Sequence, residues 1–599
     1  MRSSIYRAGA RPALRPLTTW TCASCRLRPV ARRSLATAPA SPEEKPYYVT
    51  TPIFYVNAAP HVGHLSTMVL ADIIKRWQVL EGTKAILSTG TDEHGLKVQQ
   101  AAAKAGSDPL PFCDKGADVF KNLAAKGLIS NEHFVRTTDQ AHKDGVQYAW
   151  HLLKERGYIY SSKHEGWYSV SDETYYPSSG VHLIVEPATG RKIMASIETG
   201  KEVEWTTEVN YHFRLSAFTD RLLQFYRNNP GWIIPQFRMD DVVQAVSSGL
   251  EDLSISRPTS RLTWGVPVPN DDSQTIYVWL DALLNYATKI GYPWPPGKMG
   301  NSGWPPDCHV IGKDITRFHC IYWPAFLMAL SLPISKRVLT TAHWTMNSQK
   351  MSKSVGNVVN PFFALDRFGA DAMRYYLAHD GGISQDANYS NYHVVERYKK
   401  GLQGGLGNLA SRIMKGRGWD VRRAVISGKK NSPKKNTEQQ ARARAHFDLL
   451  QGLAGAVQQK LQALDVSGGL KTIMEVVYET NSFLQEAAPW RFVPKAQRNV
   501  PASEHAGEVI PEQHVPHVDR TIFLCAETLR ITAILLQPYL PSKAAELLDM
   551  LGVDKAKRSF EFAAACKDFD YGVSKVDLKK AVLFPPIGID ELDGPEDVA

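Results

Sequence analysis

Tyr47-Tyr48-Val49-Thr50-Thr51-Pro52-Ile53-Phe54-Tyr55-Val56-Asn57-Ala58-Ala59-Pro60-His61-Val62-Gly63-His64 opens as a strand and closes at the mouth of a helix. β-Branched and aromatic residues fill its first half, and Leu65, Met68, Val69, Ile73, Ile74, Trp77 and Leu80 follow at helical spacing. The two histidines therefore stand at a strand-to-helix turn. Such a helix start has unpaired N–H groups and positive dipole, so it favours phosphate, and imidazoles at its lip can donate to phosphoryl oxygens as charge develops. Gly63 leaves room for a ligand to approach the backbone.

Far downstream, Lys350-Met351-Ser352-Lys353-Ser354 lies in a polar, glycine-flanked stretch. Its two ammonium groups act as point charges on a polyphosphate. Taken singly, the first tract also fits a core histidine with an N-terminal turn, and the second a solvated basic loop. Together, in this order, they point to one nucleotide-phosphate site.

Strand and helix patterns alternate over 45–140, with Ala85-Ile86-Leu87-Ser88 and Thr89-Gly90-Thr91-Asp92-Glu93-His94-Gly95 ahead of a helix from Leu96. This is how the first half of a parallel nucleotide-binding sheet reads. Over 141–275 the texture changes to short strands, glycines and charges, which indicates an inserted antiparallel module. Strand and helix patterns return over 276–345, from Ile276-Tyr277-Val278-Trp279 to the run around Asp307 to Asp314. Mixed structure is expected over 346–390, around the lysine tract, and amphipathic helices over 391–599. Lys429 to Lys435 and Lys495 to Asp519 read as polar loops, and Glu591 to Ala599 as an acidic tail. The fold class is thus α/β: a Rossmann-like parallel-sheet domain split by a connective insertion and followed by an all-α bundle.

The formal net charge of the 599 residues is +10. Residues 1–42 hold eight of the 70 basic residues, all arginine, and none of the 60 acids, so the remainder carries 62 against 60. An arginine-rich, acid-free leader with serines and threonines reads as a mitochondrial transit peptide, the other reading being a basic RNA-binding arm. Seven scattered cysteines suit a reducing compartment without a disulfide framework. Cys22 and Cys25 are spaced like half a zinc site but have no partner pair. The longest apolar run, Cys320 to Ile334, is broken by Pro324 and Pro333 and is too short to span a membrane.

His61-Val62-Gly63-His64 and Lys350-Met351-Ser352-Lys353-Ser354 resemble the two signatures of the class I aminoacyl-tRNA synthetases, the second letter for letter. Tyr55 to His61, Gly90 to Gly95, Tyr277 to Ala282, Gly312 to Ile315 with Phe318-His319, Asn408 to Arg412 and Ala488 to Trp490 narrow the resemblance to the methionyl-tRNA synthetases. It implies ATP-dependent attachment of methionine to tRNA(Met) through a methionyl-adenylate, in the mitochondrial matrix and without a membrane. By that resemblance His61, Gly63, His64, Lys313, Lys350, Ser352 and Lys353 bind ATP, of which His61, His64, Lys350 and Lys353 are catalytic, with Mg2+ bridging phosphate oxygens. Asp92 takes the methionine ammonium, Ile53 and Tyr55 line the near side, and Trp279, Ala282, Tyr286, His319 and Trp323 enclose the thioether. Spacings of three and four let Trp279, Ala282 and Tyr286, or His319 and Trp323, share a helix face.

The same resemblance implies that the bundle reads the tRNA anticodon, with Asn408, Arg412 and Trp490 as the expected contacts and the indole as a base-stacking plane. Two departures from the family stand out. Where relatives often carry zinc-binding cysteine pairs, this chain has Ser169-Val170-Ser171-Asp172 and Ser196-Ile197-Glu198-Thr199, which implies no structural zinc. Leu283 replaces a proline frequent in relatives, leaving that turn open. The insertion is too short for a hydrolytic editing domain, and no appended dimerisation module follows, which implies a monomer. Rival readings are a catalytically inactive RNA-binding derivative and a small-molecule nucleotidyltransferase; the intact histidine, aspartate and lysine set opposes the first, and the long helical region the second.

Overall fold

The computed structural model describes residues 45–170, 174–185, 190–346, 348–351, 357–416, 418–430, 438–493, 512–578 and 581–587. The arginine-rich leader with Cys22 and Cys25, Ser171 and Asp172, Ser352 to Ser354, most of the stretches 429–435 and 495–519, and the acidic tail lie outside them.

The first strand, β1 (Tyr47–Tyr55), leads to α1 (Val62–Leu80), β2 (Ala85–Asp92), α2 (Leu96–Lys104), α3 (Pro109–Lys126), β3 (His133–Arg136) and α4 (Gln140–Glu155). An antiparallel module follows, with β4 (Ile159–Ser169), β5 (Thr174–Tyr176), β6 (Val181–Val185), β7 (Lys192–Ser196) and β8 (Glu204–Phe213). After α5 (Thr219–Asn228), β9 (Ile233–Ile234) and α6 (Gln236–Ser247) come the short β10 (Leu253–Ser254), β11 (Ser256–Pro258), β12 (Pro267–Val268) and β13 (Asp271–Ile276). The chain continues through α7 (Val278–Thr288), β14 (Cys308–Gly312), α8 (Trp323–Leu330) and β15 (Val338–Thr341).

Six strands pair in the order β3-β2-β1-β14-β15-β9, every neighbouring pair parallel. Alternation along the strands explains why both faces are covered. Val49, Val310 and Leu339 pack on the α1 side, while Tyr48, Ile311 and Val338 face the core built with α4, α7 and α8. The edge strand Ile233–Ile234 comes from within 141–275, so that stretch returns to the sheet before the second half begins. Strand order reverses between β1 and β14, and a ligand crevice is expected beyond the carboxyl ends of those two strands. Between Thr50 and Ile53 the β1–β2 register slips, at Pro52, which has no N–H to donate to a ladder.

Beyond the sheet lie β16 (Trp344–Met346), β17 (Gln349–Lys350), α9 (Pro361–Phe368), α10 (Ala370–Asp380) and β18 (Ala387–Asn388). β17 runs antiparallel to β16, and β18 parallel to it, so the lysine tract starts from the edge of a small three-stranded sheet. Helices then dominate: α11 (Asn391–Arg397), a π-helical stretch Tyr398–Gly407, α12 (Asn408–Met414), α13 (Val421–Lys430), α14 (Glu438–Gln462), α15 (Val466–Ala487), α16 (Val515–Leu536) and α17 (Pro541–Leu551). The end of the 495–519 stretch, expected as loop, is helical from Val515. Among the described residues no helix is long and apolar enough to cross a membrane.

Two expectations change. Ile276 to Trp279 is not one strand: β13 stops at Ile276 and α7 opens at Val278, which buries Leu283 inside a continuous helix rather than at a turn. His319 and Trp323 do not share an α-helical face, because Phe318–Tyr322 is a π turn in which the Trp323 N–H bonds to Phe318 O. Pro324 brings no N–H for Cys320 O, and the Tyr226 hydroxyl donates to that carbonyl instead at 2.6 Å.

Candidate active site

His61 caps α1 with its side chain. The Gly63 N–H donates to His61 Nδ1 at 3.1 Å, and the His61 N–H donates to His64 Nδ1 at 3.0 Å, a capping box built from imidazoles. Both Nδ1 atoms are therefore acceptors, which leaves Nε2 as the proton-bearing nitrogen of each neutral ring. The rings stack at 3.8 Å. A Cβ on Gly63 would stand 2.9 Å from the His61 ring, so the close approach that this glycine permits is that of the imidazole itself.

The cleft above this turn, about 280 Å³, is lined by Ile53, Tyr55, His61, Gly63 and His64 on one side and by Gly312, Asp314, His343 and Met351 on the other. Met351 belongs to the lysine tract, so that tract and the imidazole turn border one cleft. The Lys350 backbone is paired with Thr345 in β17. Ser352 and Lys353 are outside the described residues.

A larger cavity of about 680 Å³ shares Pro52, Ile53, Tyr55, Asp314, Ile315 and His343 with the cleft and is also lined by Asp92, Trp279, Ala282, Tyr286, Lys313 and His319. Helical spacing on α7 aligns Trp279, Ala282 and Tyr286 as expected. The Trp279 indole stacks on Phe318, with centroids 3.6 Å apart and planes 10° from parallel. His319 Nδ1 lies 3.0 Å from Ile315 O and its Nε2 lies 2.6 Å from the Tyr286 hydroxyl. The carbonyl can only accept, so Nδ1 carries the proton and Tyr286 donates to Nε2. Burial holds the His319 pKa down, at about 4, and the ring stays neutral at physiological pH. Trp323 does not line the cavity: it is buried one layer behind, against Tyr286 at 6.1 Å.

Lys313 lines the cavity and ion-pairs with Asp386 at 2.7 Å, while Asp386 also accepts the His343 N–H at 2.9 Å. Phe318, Lys97, Arg317 and His343 join the walls without having been expected there. Phe318 had a signal, since it precedes His319 in a motif already singled out. Lys97, which lies over the Tyr55 ring at 4.8 Å, and Arg317 had none, because their places depend on a helix start and a π turn.

In the bundle, Asn408, Arg412 and Trp490 do come together. Arg412 stands 5.0 Å from the Trp490 ring and donates to Gln485 at 3.2 Å, and Asn408, one turn earlier and exposed, reaches Asn481 at 3.4 Å. None of the three lines the cleft or the larger cavity.

At the zinc-knuckle position, the buried Ser196 hydroxyl accepts the backbone N–H groups of Glu198 at 3.1 Å and Thr199 at 3.3 Å. It closes the turn by hydrogen bonds. Among the described residues no group of histidine, cysteine and carboxylate side chains is arranged to hold a metal ion. Asp314 is the only carboxylate among the described residues lining the cleft above the imidazole turn. A divalent cation in this cleft would find one protein carboxylate rather than a cage of several.

Residues 47–414 match the family model described as tRNA synthetases class I (M). The chain is 52% identical to a probable mitochondrial methionine–tRNA ligase of Neurospora crassa over 590 residues, covering 96% of this chain and 92% of the relative. It is 41% identical to the human mitochondrial methionine–tRNA ligase, covering 86% of this chain and 85% of that one. Among solved structures it is similar to Mycobacterium tuberculosis methionyl-tRNA synthetase in complex with methionyl-adenylate, with a TM-score of 0.79, 36% identity, and coverage of 90% of this chain and 100% of that one.

Proposed function

The chain belongs to the class I tRNA synthetases of the methionine type, and from that premise we propose how its cleft carries out the reaction. It is a mitochondrial enzyme that uses ATP to attach methionine to tRNA through a methionyl-adenylate. The methionine carboxylate attacks the α-phosphorus of ATP and pyrophosphate leaves. The terminal ribose hydroxyl of the tRNA then attacks the adenylate carbonyl, and AMP leaves. Little covalent work falls to the protein, so positioning and charge stabilisation carry the first step.

His61 and His64 donate from Nε2 to phosphate oxygens, and Gly63 keeps the capping geometry that fixes those donors. Lys350 and Lys353, with Ser352, clamp the departing pyrophosphate. Lys313 exchanges Asp386 for phosphate. Asp92 holds the methionine ammonium, and Ile53, Tyr55, Trp279, Ala282, Tyr286 and His319 surround the side chain, with Trp323 backing Tyr286. Aromatic walls suit a polarizable sulfur, at about 0.3–1.5 kcal/mol per contact. Bound Mg2+ supplies neutralisation of the phosphate charge, with Asp314 as the carboxylate placed to hold it.

The bundle patch of Asn408, Arg412 and Trp490 reads the anticodon. Residues 1–42 direct the chain to the matrix. The domain limits are those read from the sequence, 45–140 and 276–345 for the split catalytic domain, 141–275 for the insertion, 346–390 for the lysine-loop region and 391–599 for the bundle, except that β9, within the insertion range, completes the catalytic sheet. The protein acts as a monomer, which light scattering checks, and holds no structural zinc; one tightly bound equivalent in purified protein overturns the latter.

One observation carries this reading: the imidazole turn and the start of the lysine tract border one cleft, and that cleft shares a wall with an aromatic cavity containing Asp92. The test is ATP–pyrophosphate exchange across all amino acids, with Lys353→Ala alongside. Stimulation by methionine alone, with exchange lost in the variant and methionine affinity retained, is expected. Stimulation by another substrate, or by none, returns the nucleotidyltransferase or the inactive RNA-binding reading.

A further inference from the structure

One turn of α7 carries the wall of the aromatic cavity and, between two wall residues, a carboxylate outside the lining. Trp279 and Ala282 border the cavity, whereas Asp281 is 1% exposed and does not. Its Oδ2 lies 2.7 Å from His94 Nδ1 and its Oδ1 lies 2.7 Å from His142 Nε2. His142 Nδ1 stands 2.7 Å from Thr288 Oγ1, about two turns further along α7. Both rings are buried, at 2% exposure.

Three segments are joined by these bonds: α7, the N-terminal turn of α4, and the residues after β2. The last of these matters most, because His94 is two residues beyond Asp92. That segment is fixed from other directions as well. Glu93 receives Arg136 Nε at 2.7 Å and Nη2 at 2.9 Å, and the Gly95 N–H, at a φ of 102° that favours glycine, donates to Trp264 O at 3.1 Å. His94–Asp281 is therefore a direct tie between the end of the site that holds Asp92 and the helix that holds Trp279, Ala282 and Tyr286.

α4 comes close enough to take part because its residue 145 is glycine. A Cβ there would stand 2.6 Å from Thr288 Cγ2 and 3.2 Å from Tyr292 O. Burial alone pushes the Asp281 carboxyl up, but the charge and hydrogen bonds of His94 and His142 outweigh it and hold the pKa at about 2, so the carboxylate persists. Apolar residues would pack these segments as well, since buried ionic groups add little net stability. What hydrogen bonds to an ionised acceptor add is directionality and a fixed distance.

Resting on the reading that Asp92 takes the ammonium and α7 the side chain, we infer that Asp281, His94 and His142 are positioning residues that set the span between the two ends of the amino-acid site, and thereby select side-chain length. A substrate one methylene longer must move α7 away from the end of β2, and the triad resists that movement. One methylene in an apolar pocket is otherwise discriminated by roughly 10–200-fold, which is the range in which the effect is read.

The test is pyrophosphate exchange by the full chain with methionine and with its S-ethyl homologue, ethionine, as substrates. Asp281→Asn cannot accept from both imidazoles in their present tautomers. It is expected to raise the methionine KM by about tenfold or more, to leave the ATP KM within about twofold, and to lower the methionine-to-ethionine ratio of kcat/KM by about fivefold or more. His142→Leu should lower that ratio too, and His142→Gln, which retains an N–H donor, should restore most of it. Thr288→Val tests the outer bond without touching the cavity and serves if Asp281→Asn does not fold.

Variants that fold, by circular dichroism, with methionine KM and ratio unchanged overturn the inference, even if their Tm falls, since a scaffold role would give that pattern. Wild-type protein that shows no methionine-dependent exchange strikes the functional reading instead. Wild-type exchange with unmoved variants strikes only this one.

Discussion

Asp92 ends β2 with its side chain buried and lining the aromatic cavity that Tyr286 also borders, the position from which we propose that it takes the methionine ammonium. Asn at this position keeps shape and loses charge. A hydrogen bond to a charged group contributes about 1.5–3 kcal/mol, so Asp92→Asn should raise the methionine KM by roughly 10- to 150-fold. The ATP KM should stay near its wild-type value. Exchange kinetics with methionine varied at fixed ATP check this, and an unchanged methionine KM removes Asp92 from the ammonium site. Asp92 was legible in the sequence because a short motif carried it. The His319 tautomer was not, since it is set by Ile315 O and the Tyr286 hydroxyl, two partners whose distances exist only after folding. Gly63 lines the cleft, and its missing Cβ also makes room for the adjoining imidazole, a neighbour that the sequence could not show because it depends on a rotamer.

Among elements, the contact of α4 with α7 turns on Gly145. Alanine there gains helix propensity, up to about 1 kcal/mol. It also drives a methyl to 2.6 Å from Thr288 Cγ2, on a β-branched side chain held between two helices. Overpacking of that kind costs about 1–3 kcal/mol and exceeds the gain, so Gly145→Ala should lower Tm by a few degrees. A Tm equal to or above wild type in a thermal melt would show that the helices separate without cost. The long periodic elements could be read ahead of time, β1 from its composition and α1 from the spacing of its apolar residues, whereas α7 was legible only as a face that Trp279, Ala282 and Tyr286 would share, its first turn having been read as strand. The rest failed for identifiable reasons. β9 has two residues, too few for a period, and its membership in the sheet is decided by β15. The π turn before α8 arises from Pro324 and from a tyrosine nearly a hundred residues earlier, and it removed Trp323 from the face that four-residue spacing had given it.

At the scale of the whole molecule, histidines buried neutral couple stability to pH. His309, His319 and His446 all have pKa values lowered by burial, His319 and His446 to about 4. A folded pKa below the unfolded value of 6.5 means that the unfolded chain takes up the proton first. For His319 and His446 stability is therefore complete above 6.5, falls as pH drops from there toward 4 and loses no more below that, while His309 adds a loss in the same direction. A histidine moved from 6.5 to about 4 withdraws on the order of 3 kcal/mol. Asp281, held at about 2, adds a loss only below the ordinary carboxylate range, while the raised carboxyls of Asp371 and Asp519 act with the opposite sign. Thermal melts should be flat above about pH 7 and decline from about pH 6.5 to pH 4, less steeply in His446→Gln; a Tm constant across that interval rejects the assignment. Arg374 sets a second whole-molecule property, the registry between sheet and bundle. Its fully buried guanidinium bonds to Asp72 of α1 at 2.6 Å, to Gly127 O at 3.2 Å, and to Pro538 O at 2.7 Å and Tyr539 O at 3.1 Å in the turn between α16 and α17. α1 is the helix that His61 caps, so one side chain links the imidazole turn to the α16–α17 turn, and α16 in turn packs against α12, which carries Arg412, and against the turn that holds Trp490. Breaking a buried pair costs about 3–5 kcal/mol, and here the lower end applies because Arg76 and Ser130 still satisfy Asp72. If Asn408, Arg412 and Trp490 read the anticodon, as proposed, amino-acid activation needs only the cleft, whereas aminoacylation needs the distance from the cleft to those three residues. Arg374→Met should therefore lower Tm while leaving exchange within about threefold of wild type and cutting tRNA charging by about tenfold or more, as expected when a tie far from the chemistry is loosened. Equal losses in both assays would place the effect in the cleft and not in the registry between the two parts.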